Sequence, residues 1–295
     1  MSAEFKHIPV LAKETIELLN IRPGKTYVDC TLGGGGHAEN IKLQNAKSKI
    51  IGIDQDEDAI EAAKKRLSEY PDIRFIRDNF KNLKETVKEP VDGILFDLGV
   101  SSYQIDEASR GFSIQKEGPL DMRMDKSQKL TADHIINNFD EEELVEIFRD
   151  FGEERFSKRI ARQIVGKRPI KTTQDLRKII EKSIPTWKKR ESVTRIFQAL
   201  RIAVNNELES LRIALEDAIE LLNPGGRIVV IAYHSLEDRI VKLALRQAKM
   251  DGKLTLLTKK PVRAEEDEIA SNPRAKSAKL RAGLRPEQSG GEKLG

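Results

Sequence analysis

Asp97 closes the apolar run ILFD and offers a carboxylate at the end of a strand-like segment. One chemistry that needs such a group is transfer onto an exocyclic amine. That amine is a weak nucleophile because its lone pair is delocalised into the ring. A carboxylate that accepts its N–H restores electron density and takes up the proton after transfer. Asp97 equally suits a loop cap or a ribose contact. His234, in YHSLEDR, is a second catalytic candidate, although a lone histidine is more often structural. Ser235 and Asp238 beside it read as an S-x-x-D capping pair that starts a helix at Ser235.

The second chemical signal is VDCTLGGGGHAEN, Val28 to Asn40. Four successive glycines could be a linker, a phosphate loop or a pocket for another cofactor. Gly33-x-Gly35-x-x-Ala38 fits the dinucleotide pattern with its permitted Ala ending. Asp54 follows Gly35 by 19 residues at the end of the next strand-like run, where it can accept hydrogen bonds from both ribose hydroxyls. A nucleoside-containing cofactor is therefore expected. A pyrophosphate would suit a helix start with free N–H groups, but His37 follows the glycines at once. S-adenosyl-L-methionine carries no phosphate, and its amino-acid part can lie over glycine backbone. The expected sheet, ending in a strand pair, resembles S-adenosyl-L-methionine-dependent methyltransferases, and that resemblance implies that Asp78, Asn79 and Phe80 lie beside adenine; without it Phe80 suits a core position equally well.

These residues need a scaffold that gathers strand ends. Strand-like runs at 26–31, 49–54, 73–78 and 91–99 alternate with helical patterns, which predicts a parallel sheet with helices on both faces. The next strand, 226–233, follows an Asn223–Gly226 turn, and roughly 125 residues precede it, a domain-sized gap. That gap is rich in helical periodicity, including one run from Ser192 to Leu222. Runs at 254–258 and 277–283 are separated by a charged loop without a helix of ordinary length, so they are expected to be antiparallel. The expected fold is an α/β, Rossmann-like, seven-stranded sheet with a terminal antiparallel pair. Residues 1–105 and 208–295 form the cofactor domain, and residues 106–207 an inserted all-helical domain. The last dozen residues are expected to be disordered.

Overall charge is +4, with 52 basic and 48 acidic residues, too mild an excess to indicate nucleic acid by itself. Its local distribution is more informative. RFSKRIARQIVGKRPIK, 155–171, has seven basic residues and no acidic one. Arg155, Lys158, Arg159 and Arg162 form one helical stripe beside the apolar stripe Phe156, Ile160 and Ile164. Lys188, Lys189 and Arg190 add charge next to the only tryptophan. A solvated face explains such a run, and a phosphate-backbone surface explains it better if the inserted domain adjoins a cleft. The irregular, charged segment 101–125 is a recognition-loop candidate. Cys30 is the only cysteine, which excludes an internal disulfide and a multi-cysteine zinc site, and no metal is expected. The first 25 residues lack a basic n-region followed by an apolar h-region, and no run approaches the length of a membrane span, so a cytoplasmic location is expected.

HIPVL, GGGGHAE, GIDQD, DGILFDLGVSS, RGFS, GPLDMRMD, GEERFSKRIARQI, TRIFQALRIAVNNEL, NPGGRIVVIAYHSLEDRIVK and NPRAKSAKLRA occur in order along nearly the whole chain. Together they resemble the RsmH (MraW) family of ribosomal RNA small-subunit methyltransferases. The resemblance implies S-adenosyl-L-methionine-dependent methylation of 16S rRNA at N4 of cytosine 1402, in the decoding centre. It implies cofactor contacts from Gly35, Gly36, His37, Asp54, Phe80, Asp97 and Gln104; His37 and Gln104 rest on the motifs alone. Tyr233 departs from the family's more usual Phe, and the fourth glycine fills a position that is often polar. The implied partner is 16S rRNA within an assembled or partly assembled small subunit, without membrane or DNA, and a homodimer is compatible with it. The target base would have to be single-stranded or extruded. Competing readings are an NAD-dependent oxidoreductase and a non-catalytic RNA-binding assembly factor.

Overall fold

Residues 9–287 are described by a computed structural model. The start of HIPVL and the tail beyond residue 287 lie outside them. Seven strands form one sheet: β1 (Thr26–Asp29), β2 (Lys49–Asp54), β3 (Ile73–Arg77), β4 (Val91–Asp97), β5 (Leu222–Ala232), β6 (Thr255–Leu256) and β7 (Lys279–Leu284). Their order is β3-β2-β1-β4-β5-β7-β6. The first five are parallel, and β7 runs antiparallel to both β5 and β6. The expected terminal antiparallel pair is therefore present. The charged loop before β7 also contains a short helix, Glu266–Ser271.

Alternation along the strands explains why both faces are covered. Val28, Ile94, Phe96, Ile228 and Val230 belong to one buried cluster. Their neighbours Tyr27, Leu95, Val229 and Ile231 belong to the other. Successive strand side chains point to opposite faces, so near-continuous apolar strands need helices on both sides. The order reverses where β1 lies between β2 and β4. At such a switch point the strands' carboxyl ends leave a crevice for a ligand.

Two local expectations change. Asn223–Gly226, expected as a turn before the strand, bulges out within β5. Val91 pairs with Leu222 while Gly93 pairs with Arg227, and Gly225 has φ +77°. The tail expected to be disordered begins in order, because Leu284 ends β7 and the Arg285 N–H donates to Gly226 O at 2.8 Å.

The chain divides into two compact units, residues 1–99 with 208–295, and residues 100–207. The first boundary falls six residues before the expected 105/106, and the second coincides with 207/208. The second unit packs the helices Ala132–Asn138, Glu141–Asp150, Ser157–Val165, Thr173–Ser183 and Lys189–Asn205. Their apolar stripes converge in one cluster containing Leu144, Phe148, Ile160, Ile164, Leu176, Ile180, Ile196 and Leu200. The single helical run expected from Ser192 to Leu222 is broken at Asn206, which adopts the left-handed conformation at φ +48°. Asparagine tolerates that region better than most residues. No helix among the described residues is long and apolar enough to cross a membrane.

Asn205, the last residue of that helix, is 5% exposed and ties down part of the irregular segment. Its Oδ1 accepts from Met124 N at 2.8 Å, and its Nδ2 donates to Met122 O at 2.8 Å. Arg110 is buried in the same segment and donates to the carbonyls of Arg123 and Met124. These polar groups hold the segment's own backbone. Asn205→Ala leaves buried backbone groups unpaired, at a cost of ~1–3 kcal/mol per group. It should lower the urea midpoint for unfolding, read by circular dichroism; an unchanged midpoint would show that the bonds contribute no net stability.

Candidate functional site

The glycine loop joins β1 to the helix Gly36–Gln44. Gly33 N donates to Asp54 Oδ2 at 2.8 Å, and Gly35 N to Leu32 O at 2.8 Å. The two glycines that continue into the helix are required largely by the protein's own packing. Gly35 has φ +79°, and an added Cβ would lie 2.8 Å from Leu67 Cδ1. At Gly36 it would lie 2.7 Å from Pro9 Cγ. Gly34 alone of these three has nothing within 4 Å of an added Cβ. The open stretch that could admit a ligand is thus centred on Gly34, a residue that the sequence reading did not single out.

Asp54 locks this loop to the end of β2. Besides Gly33, it accepts from Asp56 N at 2.9 Å. The Gln55 backbone N–H is a third donor, and the carboxylate's two oxygens still retain lone-pair capacity for a ribose hydroxyl. Burial pushes its pKa up to about 6 despite these hydrogen bonds. Asp29, at the end of β1, is 1% exposed and was missed by the sequence reading. Its Oδ1 accepts from Thr31 N at 3.1 Å, and its Oδ2 is buried without a hydrogen-bond partner. Burial drives its pKa to about 6 against the pull of His37, while Asp97 and Asp54 push the same way as burial. An acidic residue ending the strand before a glycine loop was the available signal.

His37 is 5% exposed, and neither ring nitrogen makes a hydrogen bond. Its Nε2 lies 3.5 Å from Asp97 Oδ2, near enough for charge pairing. Burial alone would lower its pKa; polar contact with Asp97 and the negative field of Asp97 and Asp29 prevail and raise it. Asp97 is held from two more directions. Its backbone N–H donates to Thr31 Oγ1 at 2.6 Å, and its Oδ1 accepts the Tyr233 hydroxyl at 2.7 Å. Burial and the Asp97 charge push the Tyr233 pKa well up, so the hydroxyl stays a donor. Gly99, at φ +99°, leaves room for the tyrosine ring, which would lie 3.3 Å from an added Cβ.

His234, the second catalytic candidate, makes capping contacts. It is the N-cap of the helix Ser235–Met250: Glu237 N donates to its Nδ1 at 3.3 Å, and Glu237 Oε2 accepts from His234 N at 3.2 Å. Its Nε2 lies 3.0 Å from Glu237 Oε1. The expected Ser235–Asp238 cap is therefore displaced by one residue. Asp238 pairs with Arg281 at 2.7 Å and Lys279 at 3.4 Å, joining this helix to β7.

Phe80 opens the short turn Phe80–Asn82 and meets Phe96 edge-on at 5.8 Å. Asp78 accepts within its own loop from Asn79 N and Asn82 Nδ2, and Asn79 Nδ2 donates to Gln55 Oε1 in the loop after β2. The first unit thus brings Gly35, Gly36, His37, Asp54 and Asp97 to the carboxyl ends of β1, β2 and β4, with Phe80 following β3. Gln104 belongs to the helical unit, where it is 4% exposed and its Oε1 accepts from Ser101 N at 3.0 Å in a capping box. Arg155, Lys158, Arg159 and Arg162 are exposed along one side of the helix Ser157–Val165 and the residues before it. Arg162 lies 3.6 Å from Glu141. Arg190 is exposed, while Lys188 and Lys189 are half-buried.

Comparison with known proteins gives a consistent pattern. The profile of the MraW methylase family matches residues 4–285. A Clostridium botulinum protein named Ribosomal RNA small subunit methyltransferase H is 48% identical, over 94% of this chain and 98% of its own. The Nostoc punctiforme protein of that name is 52% identical over 94% and 93%. The one from Halothermothrix orenii is 48% identical over 95% and 98%.

The raised Asp29 pKa has a defined consequence for stability. The folded value of about 6 exceeds the ordinary 3.8, so the proton is held more tightly in the folded state. The resulting stabilisation is full below 3.8 and is lost as pH rises through about 6. Asp29→Asn removes that ionisation and keeps an acceptor for Thr31 N. The variant should unfold at a higher temperature than the parent at pH 7.5, with the gap closing below about pH 4. An equal difference at both pH values would place the effect outside ionisation.

Proposed function

The chain belongs to the MraW methylase family, and from that premise we propose that it transfers a methyl group from S-adenosyl-L-methionine to ribosomal RNA. The acceptor we assign is N4 of cytosine 1402 of 16S rRNA, within an assembled or partly assembled small subunit. The observation that carries the chemistry is Asp97, a partly exposed carboxylate at the end of β4 with Oδ1 held by Tyr233 and Oδ2 facing His37.

The residues fit this cofactor on their own chemistry. Asp29 Oδ2 and both His37 nitrogens are buried polar atoms without hydrogen-bond partners, and Gly34 offers open backbone. Asp29, Asp54 and Asp97 suit a ligand bearing cationic groups and ribose hydroxyls. The same carboxylates would oppose the negative pyrophosphate of NAD, and Gly33 N, a natural phosphate donor, is already taken by Asp54. When bound, S-adenosylmethionine supplies a methyl carbon activated by its sulfonium.

The loop Gly34–Gly36 and His37 would hold the methionine end, Asp54 the ribose, and Phe80 an apolar face for adenine. Asp97 would accept an N4 proton of cytosine as the new N–C bond forms and the methyl–sulfonium C–S bond breaks, leaving a neutral product amine and the neutral thioether S-adenosylhomocysteine. Tyr233 fixes the carboxylate rotamer, so Asp97 does not have to be ordered during the reaction. Arg155, Lys158, Arg159 and Arg162, with Lys188, Lys189 and Arg190, would neutralise RNA phosphates. A paired cytosine hides N4, so the base must be unpaired or extruded before transfer.

Two outcomes test this. Asp97→Asn should lower kcat about 10²- to 10⁴-fold, the range for a lost general base, while changing the cofactor Kd much less. The assay is methyl transfer to small subunits lacking the modification, with mass mapping of the labelled nucleotide. Equal losses in both would make Asp97 mainly a cofactor contact; no incorporation by the parent protein would favour an assembly factor. Arg159→Glu with Arg162→Glu should raise the RNA KM about tenfold or more with cofactor affinity unchanged. An unaltered KM would return that stripe to a solvated face.

A further inference from the structure

Trp187 is the only tryptophan in the chain, and it is 77% exposed. It sits in the turn Thr186–Lys188 between the helices Thr173–Ser183 and Lys189–Asn205. Apolar side chains on either side of it go inward: Ile184, Val193, Ile196 and Phe197 are all buried. The indole is thus the exception in a segment whose other large apolar groups form the core.

Its surroundings are mostly positive. Lys188 Nζ lies 5.1 Å from the centre of the indole ring, and the same amine pairs with Glu191 at 2.5 Å. Glu191 also pairs with Arg195 at 2.7 Å. The Lys188 hydrogen bond, together with the charges of Arg195 and Arg155, holds the Glu191 carboxyl below its usual range. Arg195 also donates to Glu153 O at 3.1 Å, which brings the residues just before the basic helix, Arg155 among them, to the same surface as the Trp187 turn. Glu191 there pairs with Lys188 and Arg195, with Lys189 and Arg190 next in sequence. An exposed aromatic within a net positive surface suits an unpaired nucleotide: the ring stacks the base and the cations meet the phosphates.

We propose that Trp187 is a stacking platform for an unpaired base of the RNA substrate, with Arg155, Lys189 and Arg190 on its phosphates. The proposal rests on the reading of the helical unit as RNA-binding and adds a requirement for single-stranded RNA at this turn. A protein partner could also cover an exposed tryptophan, but the excess of cations around this one favours a polyanion.

Because Trp187 is the sole tryptophan, its emission reports on this position alone. The full chain is titrated with a dye-labelled, unstructured oligoribonucleotide of about 12 nucleotides, and separately with the same RNA as a duplex. Dye anisotropy follows binding while tryptophan emission follows stacking. Single-stranded RNA should quench the emission and the duplex should not. Trp187→Ala should weaken single-strand binding about 5- to 100-fold, Trp187→Phe should restore most of it, and cofactor affinity should stay fixed. If anisotropy rises with unchanged emission and Trp187→Ala binds as tightly as the parent, the stacking site is refuted while the RNA-binding reading stands. If anisotropy does not rise, that reading fails and the stacking site with it, leaving Trp187 to a protein partner.

Discussion

Asp29, Asp54 and Asp97 end three adjacent parallel strands, and the removal of carboxylates from water at that one edge is the constraint around which the rest of the site is arranged. Parallel pairing brings all three carboxyl ends to one edge of the sheet. Each carboxylate is held differently. Asp54 takes the backbone N–H groups of Gly33, Gln55 and Asp56, Asp97 takes a tyrosine hydroxyl, and Asp29 sits in the field of His37. The charge is incompletely balanced, since burial still drives Asp29 and Asp54 to about 6. A site that retains this cost is poised for a ligand that relieves it, and strongly perturbed groups gathered in a crevice are a mark of function.

The same edge explains the glycines. Asp54 can reach Gly33 N only if the loop turns back over β2, and that turn brings Gly35 against Leu67 and Gly36 against Pro9. Close packing of loop on helix therefore demands small residues before any ligand is considered. Gly34, with open space beside it, is the position where a ligand can be the reason for a glycine.

The sheet was legible because period-two apolar patterns and intervening helical patterns are properties of the local chain. All seven strand segments and the antiparallel final pair follow from them. What could not be read depended on choices between local alternatives or on distant partners. His234 and Ser235 can both start the helix; Glu237 settles it because its carboxylate reaches back to His234 N and its own N–H is met by Nδ1. The break at Asn206 lies within a sequence whose helical pattern continues on both sides, so only tertiary packing decides it. Asp54 and Asp97 were legible as strand-ending acids, whereas Tyr233 became relevant to the site through a hydroxyl 136 positions away from its partner.

Tyr233 also shows how one hydroxyl can organise the end of a neighbouring strand. A tyrosine hydroxyl in a partly buried site needs an acceptor, and Asp97 supplies one at 2.7 Å. The pairing places one oxygen of the carboxylate in a fixed direction and leaves the other toward His37. An acceptor whose direction is fixed in advance does not have to be ordered when a ligand arrives, so its position is supplied by the fold rather than by the binding event.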